Sequence, residues 1–447
     1  MSPCEPVTLS RKPTNNPTPS TTLEDYTVSS NGFLPEHLPL ERLPDPYYTP
    51  WESLTESLPV ALAKQTLRDS VHCLPVLSTD RLSTEPEWRR ACVVLGFLTH
   101  AYIWGGDKAA EILPPQLTLP LLSVSSRLGL PPVATYASLN LWNFRTTLGG
   151  NLTDPAALHA LLTFTGTVSE SWFYTLSVAL EARAAHLPGM ILSGFTALCS
   201  PLATLTTLQE TLTEIAHTLA SLTALQDRMH DHCDPHVFYH RIRPFLAGSW
   251  NMGAAGLERG VFYDEGPAMG ECQWRRLRGG SNGQSALIGL LDWVLGVEHA
   301  PGAAGEGDYH REVKEYMPEG HRRFLADLEE AYPCGLRKMV GELVMADGGS
   351  PAVAAVKEAF DAAVAALGAF RNRHLQMVTR YIIIPSRQPG GAGQGVNLAT
   401  ASSARATSGG GGREELTGTG GTALLPFLKQ SRDETFRARR LQEVQAA

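Results

Sequence analysis

His374 stands on the apolar stripe of a segment that reads Val353, Val356, Phe360, Val364, Leu367, Phe370, His374, Val378 and Tyr381. An imidazole on a buried face needs a partner. That partner is either a hydrogen-bonding group of the core or a metal, haem iron included. Arg371 lies one turn earlier on the same face, where a guanidinium could pair with an anionic group beside a ligand. An axial histidine with a propionate-binding arginine one turn off is a haem arrangement; a solvated face for Arg371 and Arg373 is the plainer reading.

Two further clusters could carry chemistry. His230, His232, Cys233, Asp234, His236 and His240 crowd eleven positions. His236 and His240 have the i, i+4 spacing of helical zinc ligands. However, Asp234-Pro235 spells a helix stop and N-cap between the two histidine pairs, which favours surface and capping roles. The run Gly279-Gly280-Ser281-Asn282-Gly283-Gln284-Ser285 precedes an apolar helix, Ala286 to Val297. Backbone amides at such a helix start can hold a phosphate, a carboxylate or a haem propionate. The run lacks the Lys-Ser/Thr ending and the preceding strand of a nucleotide loop, so a cap with a close backbone approach is the alternative.

The elements that must position these groups are helices. Thr84-Glu85-Pro86-Glu87 spells a capping box, and the helix after it, Glu87 to Trp104, is apolar around most of its circumference and is expected to be buried. After Ser200-Pro201, Leu202, Leu205, Leu208, Leu212, Ile215, Leu219, Leu222, Leu225 and Met229 recur in steps of three and four. Ser350-Pro351 opens the helix of His374, which is expected to end in Ile382–Ile384 and Pro385. Strands do not alternate with helices, so a doubly wound sheet is excluded and the fold class is mostly α. Residues 1–30 are rich in Ser, Thr, Pro and Asn and read as a disordered tail. Residues 386–417 are Gly-, Ser- and Ala-rich and read as a flexible loop, a lid candidate or a plain insertion, returning at Gly418–Thr422.

Composition narrows the function classes. The 447 residues suit two or three domains at ~150 residues each. Lys+Arg 37 against Asp+Glu 45 gives a net charge of −8, and no basic stripe marks a nucleic-acid protein. The longest apolar stretch, Ala91 to Trp104, is broken by Thr99 and His100 and is shorter than the ~18–20 residues of a membrane span. The opening residues carry no charged and apolar leader pattern, so a secretory signal is not expected. The seven cysteines form no C-x-x-C pair, which fits reduced thiols in the cytoplasm. Lipase, zincin and kinase signatures do not occur. The residues taken alone describe a helical protein with a candidate haem histidine.

The segment Arg371-Asn372-Arg373-His374-Leu375-Gln376-Met377-Val378-Thr379-Arg380-Tyr381-Ile382 resembles the proximal-histidine helix of the indoleamine 2,3-dioxygenase family, in its fungal type. Further matches follow in the family's order: Leu130-Pro131-Pro132 with Tyr136-Ala137, His230-Asp231-His232, Gly279-Gly280-Ser281, Tyr316-Met317-Pro318 and Gly418-Thr419-Gly420-Gly421-Thr422. The resemblance spans residues 31–430. It implies one haem b per chain and cleavage of the indole 2,3-bond of L-tryptophan by O2 to N-formyl-L-kynurenine, the first step of the kynurenine pathway. A same-fold haem protein with poor tryptophan turnover, a sensor or one acting on another indole, is the alternative.

It also implies a large all-helical haem domain, 151–447, under a smaller, mainly helical N-terminal domain, 31–150, that covers the distal side. The expected protein is a monomer that needs an electron donor and binds neither nucleic acid nor membrane. Residue by residue, His374 matches the axial ligand of the haem iron, and Arg371 and Asp292 match the charged groups supporting the proximal side and a propionate. Gly280 and Ser281 match the haem-edge loop, where substrate also lies, and Thr419 the closing loop. Arg243 matches the arginine that grips the substrate carboxylate, Phe238 and Tyr239 the aromatic pair over the haem, and Tyr136, Phe173 and Ser177 the indole pocket. Ser177, Phe238 and Arg243 are the residues expected to act in catalysis. With Ser177 at the distal match, no strong general base stands beside the indole, so orientation and dryness are left for the protein to supply. The sequence departs from the pattern at Asn282, where mammalian members carry alanine, and at Tyr239, which replaces a second phenylalanine.

Overall fold

The computed structural model describes residues 22–147, 149–198, 205–250, 252–266, 273–300, 309–388, 416, 418–419 and 424–441. Helix α1, Glu85–Trp104, starts where the capping box places it, with the Glu87 carboxylate accepting the Thr84 amide at 2.8 Å. Pro86 occupies the first turn, where its missing N–H would have had no helical partner. Every residue from Arg90 to Trp104 is buried, as the all-round apolar pattern predicts. Helix α2, Pro115–Leu128, packs on α1 and stops at Gly129, whose φ of 63° suits a residue without a side chain.

The second group of helices comprises α3 (Val168–Arg183), α4 (Leu205–Asp227), α5 (Ala286–Val294), α6 (Glu319–Ala331), α7 (Pro351–Val378) and α8 (Leu424–Arg437). Helix α7 lies along α4. Leu208, Leu212, Ile215, Leu219 and Leu222 of α4 are fully buried with Val356, Phe360, Val364 and Leu367 of α7. Each such side chain contributes about 1.5–3 kcal/mol on leaving water, so this seam fixes where α7 can lie. On another side of α7, Gly368 admits the ring of Phe436 from α8; a Cβ at that position would overlap it.

Three differences from the sequence reading have local causes. The fold is mostly α, as the sequence reading has it, but the part after residue 150 also carries short strands. Strand β1 (Ile112–Leu113) pairs in parallel with β4 (Val261–Tyr263), which pairs antiparallel with β5 (Gln273–Arg275), while β2 (Phe144–Thr146) pairs with β3 (Leu158–Ala160). Strands of two or three residues are too short to show a period. Second, residues 22–30 are folded and not part of a tail: Tyr26 and Val28 are buried, and Tyr26 packs on Phe324 of α6 with ring centroids 5.4 Å apart. Third, the helical run ends at Ser386, where its β-branched residues and Pro385 place the end, but α7 itself is regular only to Val378: it widens into a π-turn, Thr379–Ile383, before the last helical turn, Ile384–Ser386. The apolar side chains form two clusters. One joins Leu34–Ala179 to Leu225–Tyr263, and the other joins Tyr26–Phe33 to Ala184–Leu222 and the helices after Ala286. The rest of the tail (1–21) and nearly all of the loop (389–415 and 417) lie outside the described residues. Among the described residues no helix is long and apolar enough to cross a membrane.

Candidate active site

Helix α7 delivers His374 and Arg371 to the wall of a cavity of about 1140 Å³. That exceeds the ~300–1,000 Å³ typical of a pocket for one drug-sized ligand. His374 keeps part of its surface open to the cavity and makes no hydrogen bond or ion pair among the described residues. Withdrawal from bulk water, helped by the Arg371 charge, pushes its pKa down to about 4. It is therefore neutral at physiological pH, with a lone pair available to a metal. A satisfied core histidine would have a partner here. This one has the cavity.

Arg371 donates from Nη2 to both Asp292 oxygens, at 2.6 and 2.7 Å, and from Nη1 to the Ser431 carbonyl at 3.0 Å. Burial opposes ionisation of Asp292, but Arg371 and His299 outweigh it and hold the carboxyl well below the usual range. His299 extends the network: Nε2 meets Asp292 at 3.0 Å and Nδ1 meets Glu434 of α8 at 2.8 Å. Burial lowers the His299 pKa and these carboxylates raise it by more, so the net shift is upward. His310 stacks on His299 with centroids 3.5 Å apart and planes 4° from parallel. Its own pKa falls to about 4, through burial and then the His299 charge. Ligand atoms of His299, His310 and Glu434 come within 4.8 Å of one another. Stacked parallel rings, however, keep their in-plane lone pairs in separate parallel planes, and both nitrogens of His299 already face carboxylates. The contacts are those of an ion-pair network.

The same cavity gathers Tyr136, Phe173, Ser177, Phe238, Arg243, Gly280, Ser281, Asp292 and Thr419. Helix α3 carries Phe173 and Ser177 one turn apart; Phe173 meets Phe238 with ring centroids 4.9 Å apart. Arg243 is completely buried, and desolvation pushes its pKa down to about 10, which leaves it charged at neutral pH. Gly280 has no room for a side chain, since a Cβ would strike Leu139. Thr419 Oγ1 donates to the Gly280 carbonyl at 2.9 Å, so Thr419 is docked on the segment that carries Gly280 and Ser281.

Tyr239 is not brought to the cavity wall. It is buried behind, with its ring 5.8 Å from the Arg243 guanidinium carbon. Phe238 and Tyr239 are consecutive in the π-turn Phe238–Ile242, and adjacent helical residues point in different directions. The pair cannot share one face. Asn282 opens a short 3-10 turn before α5 and lines the cavity with Ser281.

Sequence reasoning missed Glu181. It lies four residues after Ser177 on α3, on the same face, so the i, i+4 spacing could have found it. Its Oε1 accepts from Tyr136 at 2.9 Å and from Ser285 at 2.6 Å, while Oε2 is buried without a hydrogen-bond partner. Burial lifts its pKa to about 7 against those two hydrogen bonds. The histidine-rich segment goes elsewhere. His230 bonds Tyr381 at 2.9 Å, His232 packs edge-on to Trp172, and Asp234 caps the Pro235–Val237 turn. His236 and His240 do meet, with ring centroids 4.3 Å apart, but no third ligand joins them among the described residues.

Comparison with known proteins identifies the family. The family model described as indoleamine 2,3-dioxygenase matches residues 22–438. An indoleamine 2,3-dioxygenase of Aspergillus nanangensis is 39% identical over 425 residues, covering 93% of this chain and 97% of the relative. One of Saccharomyces cerevisiae is 39% identical over 437 residues and 93% of each chain. A 6-hydroxytryptophan 2,3-dioxygenase of Fusarium equiseti is 36% identical over 417 residues, covering 93% and 97%. With the match running from the first described residues to the last helix, the chain is an oxidoreductase that belongs to the indoleamine 2,3-dioxygenase family.

Proposed function

We propose that the protein binds one haem b through His374 and cleaves the indole 2,3-bond of L-tryptophan with O2, giving N-formyl-L-kynurenine. The observation that carries this reading is His374 itself, a neutral imidazole with no hydrogen-bond or ion-pair partner among the described residues, on the wall of a large cavity. Bound haem would supply the O2 chemistry, with an external electron donor keeping the iron ferrous. The chain's own groups supply recognition. Arg243 offers a planar fork for the amino-acid carboxylate, desolvated and therefore strong. Phe173 and Phe238 present apolar faces to an indole, and Ser177 and Tyr136 bound the pocket beside them. Ser177 is itself no strong base, and the carboxyl one turn on, Glu181, is engaged by Tyr136 and Ser285, which suits a reaction driven by orientation and exclusion of water. The Thr419 return closes the amino-acid end, and residues 31–150 cover the distal side. A monomer acting in the cytoplasm completes the reading.

A ring-hydroxylated tryptophan is the second substrate reading. It is favoured by Glu181, whose unpartnered Oε2 could take a hydrogen bond from a substituent on the indole. The test is direct. Haem-loaded protein with L-tryptophan, a reductant and air should develop the near-ultraviolet absorbance of a formylkynurenine. A red protein that leaves L-tryptophan intact but consumes a hydroxytryptophan selects the second reading. A protein that stays colourless with added hemin overturns both.

A further inference from the structure

His100 is fully buried in α1, and its two ring nitrogens are both committed to main-chain groups of other segments. Nδ1 lies 2.6 Å from the Phe245 carbonyl oxygen. Nε2 lies 3.1 Å from the Ala134 amide nitrogen. The two contacts settle the tautomer: a carbonyl can only accept, so Nδ1 carries the hydrogen, and an amide can only donate, so Nε2 offers its lone pair. Burial keeps the ring neutral, with a pKa of about 4.

The segments joined in this way are those that carry the site. Two residues after Ala134 comes Tyr136, on the cavity wall. Two residues before Phe245 comes Arg243, on the same wall. The Ala134 carbonyl also lies 3.5 Å from where a Gly280 Cβ would stand, which brings the haem-edge loop into the same register. Phe245 is clamped independently: its ring stacks on Phe164 with centroids 4.7 Å apart, and Phe164 stacks in turn on Phe97 of α1. One turn beyond His100, Trp104 donates to the Ala247 carbonyl at 2.8 Å. The Arg243–Ala247 stretch is thus fixed to α1 at several points. The Ala134–Tyr136 stretch is tied to that same place on α1 through the His100 nitrogen.

We propose that His100 is a positioning residue that sets the distance between Tyr136, at the indole end of the substrate pocket, and Arg243, at its carboxylate end. It touches no substrate. Its part is to hold the irregular Ala134–Thr135 segment and the short helical turn Arg243–Leu246 at the separation a rigid amino acid requires. The inference rests on the reading of the substrate as an indole amino acid.

The experiment compares L-tryptophan with tryptamine, which has the same indole and no carboxylate, in the parent protein, His100→Leu and His100→Gln, each at matched haem content judged by the Soret band. His100→Leu should raise KM for L-tryptophan about tenfold with kcat changed much less, and should shrink the preference for L-tryptophan over tryptamine by a similar factor. His100→Gln keeps a donor and an acceptor on one planar group and should recover part of that preference. If His100→Leu does not accumulate as folded protein, the ratio in His100→Gln is compared with the parent and should still be lowered. A general loosening would depress both substrates alike. An unchanged ratio in a folded, haem-replete His100 variant overturns the proposal. A parent protein that acts on no indole amino acid overturns the reading beneath it, and the inference with it.

Discussion

One nitrogen of Arg371, Nη2, reaches both carboxylate oxygens of Asp292, at 2.6 and 2.7 Å. This leaves Nη1 for the Ser431 carbonyl and the Thr435 hydroxyl of α8. Helices α5, α7 and α8 are therefore pinned together one turn from His374. The same contacts tie α8 to the wall that carries His374, fifty residues or more before it in sequence.

Breaking this pair from one side should be costly. Arg371→Met leaves the Asp292 carboxylate nearly buried without its main counter-charge, a change worth about 3 kcal/mol. A fall in the thermal midpoint and a weaker hold on haem are expected. The double variant Arg371→Met with Asp292→Leu should recover part of the loss, because no buried charge then remains. A double variant as unstable as the single one would show that the ion pair is not what α8 depends on.

His374→Ala should purify with little haem and no strong Soret band while remaining folded by circular dichroism, since the side chain makes no hydrogen bond or ion pair among the described residues that its removal would break. Added imidazole should restore part of the band by occupying the vacated position. Full haem occupancy in His374→Ala without imidazole would remove the axial assignment.

Glu181 gives the protein a pH signature. Its carboxyl is raised to about 7 in the folded chain, so the folded state holds the proton more tightly than the unfolded chain does. Stability from this group is full below the ordinary carboxylate pKa and is lost as pH rises from there to about 7. The loss approaches about 3 kcal/mol at its upper bound. Glu181→Gln cannot ionise and should lack this slope. Urea unfolding of both proteins at pH 5 and pH 8, at equal haem content, measures it; parallel behaviour at the two pH values would rule out the buried carboxyl as its source.

Thr419→Ala deletes the hydroxyl that donates to the Gly280 carbonyl. The expected effect is about 1 kcal/mol, read as a severalfold fall in kcat/KM for L-tryptophan with haem content unchanged. Thr419→Ser should retain most of the activity. If Thr419→Ala matches the parent in both kcat and KM, the loop return acts only as a spacer.

The helices were legible because their signals are local and repeated. The α4 stripe, the α7 stripe with His374 on it, and the capping box before α1 are each written within one segment. The family match around Arg371–Ile382 followed from the same stretch. Tyr239 could not be placed in this way, because a π-turn changes which neighbour faces the cavity, and no periodicity announces a π-turn in advance. His299 and Glu434 were invisible for another reason: their meeting depends on α8 docking against α5 and α7, 135 residues apart in the chain.

What the sequence determined by itself is the set of amphipathic helices and the single imidazole on the apolar face of the longest one. Hydrophobic periodicity acts over a few turns and needs no distant partner to be read. Tertiary structure alone decided which charged groups meet: Arg371 with Asp292, His299 with Glu434, and Tyr136 and Ser285 with Glu181. Ion pairs and hydrogen bonds act over about 3 Å and carry no signature along the chain. They exist only once packing has brought their helices together.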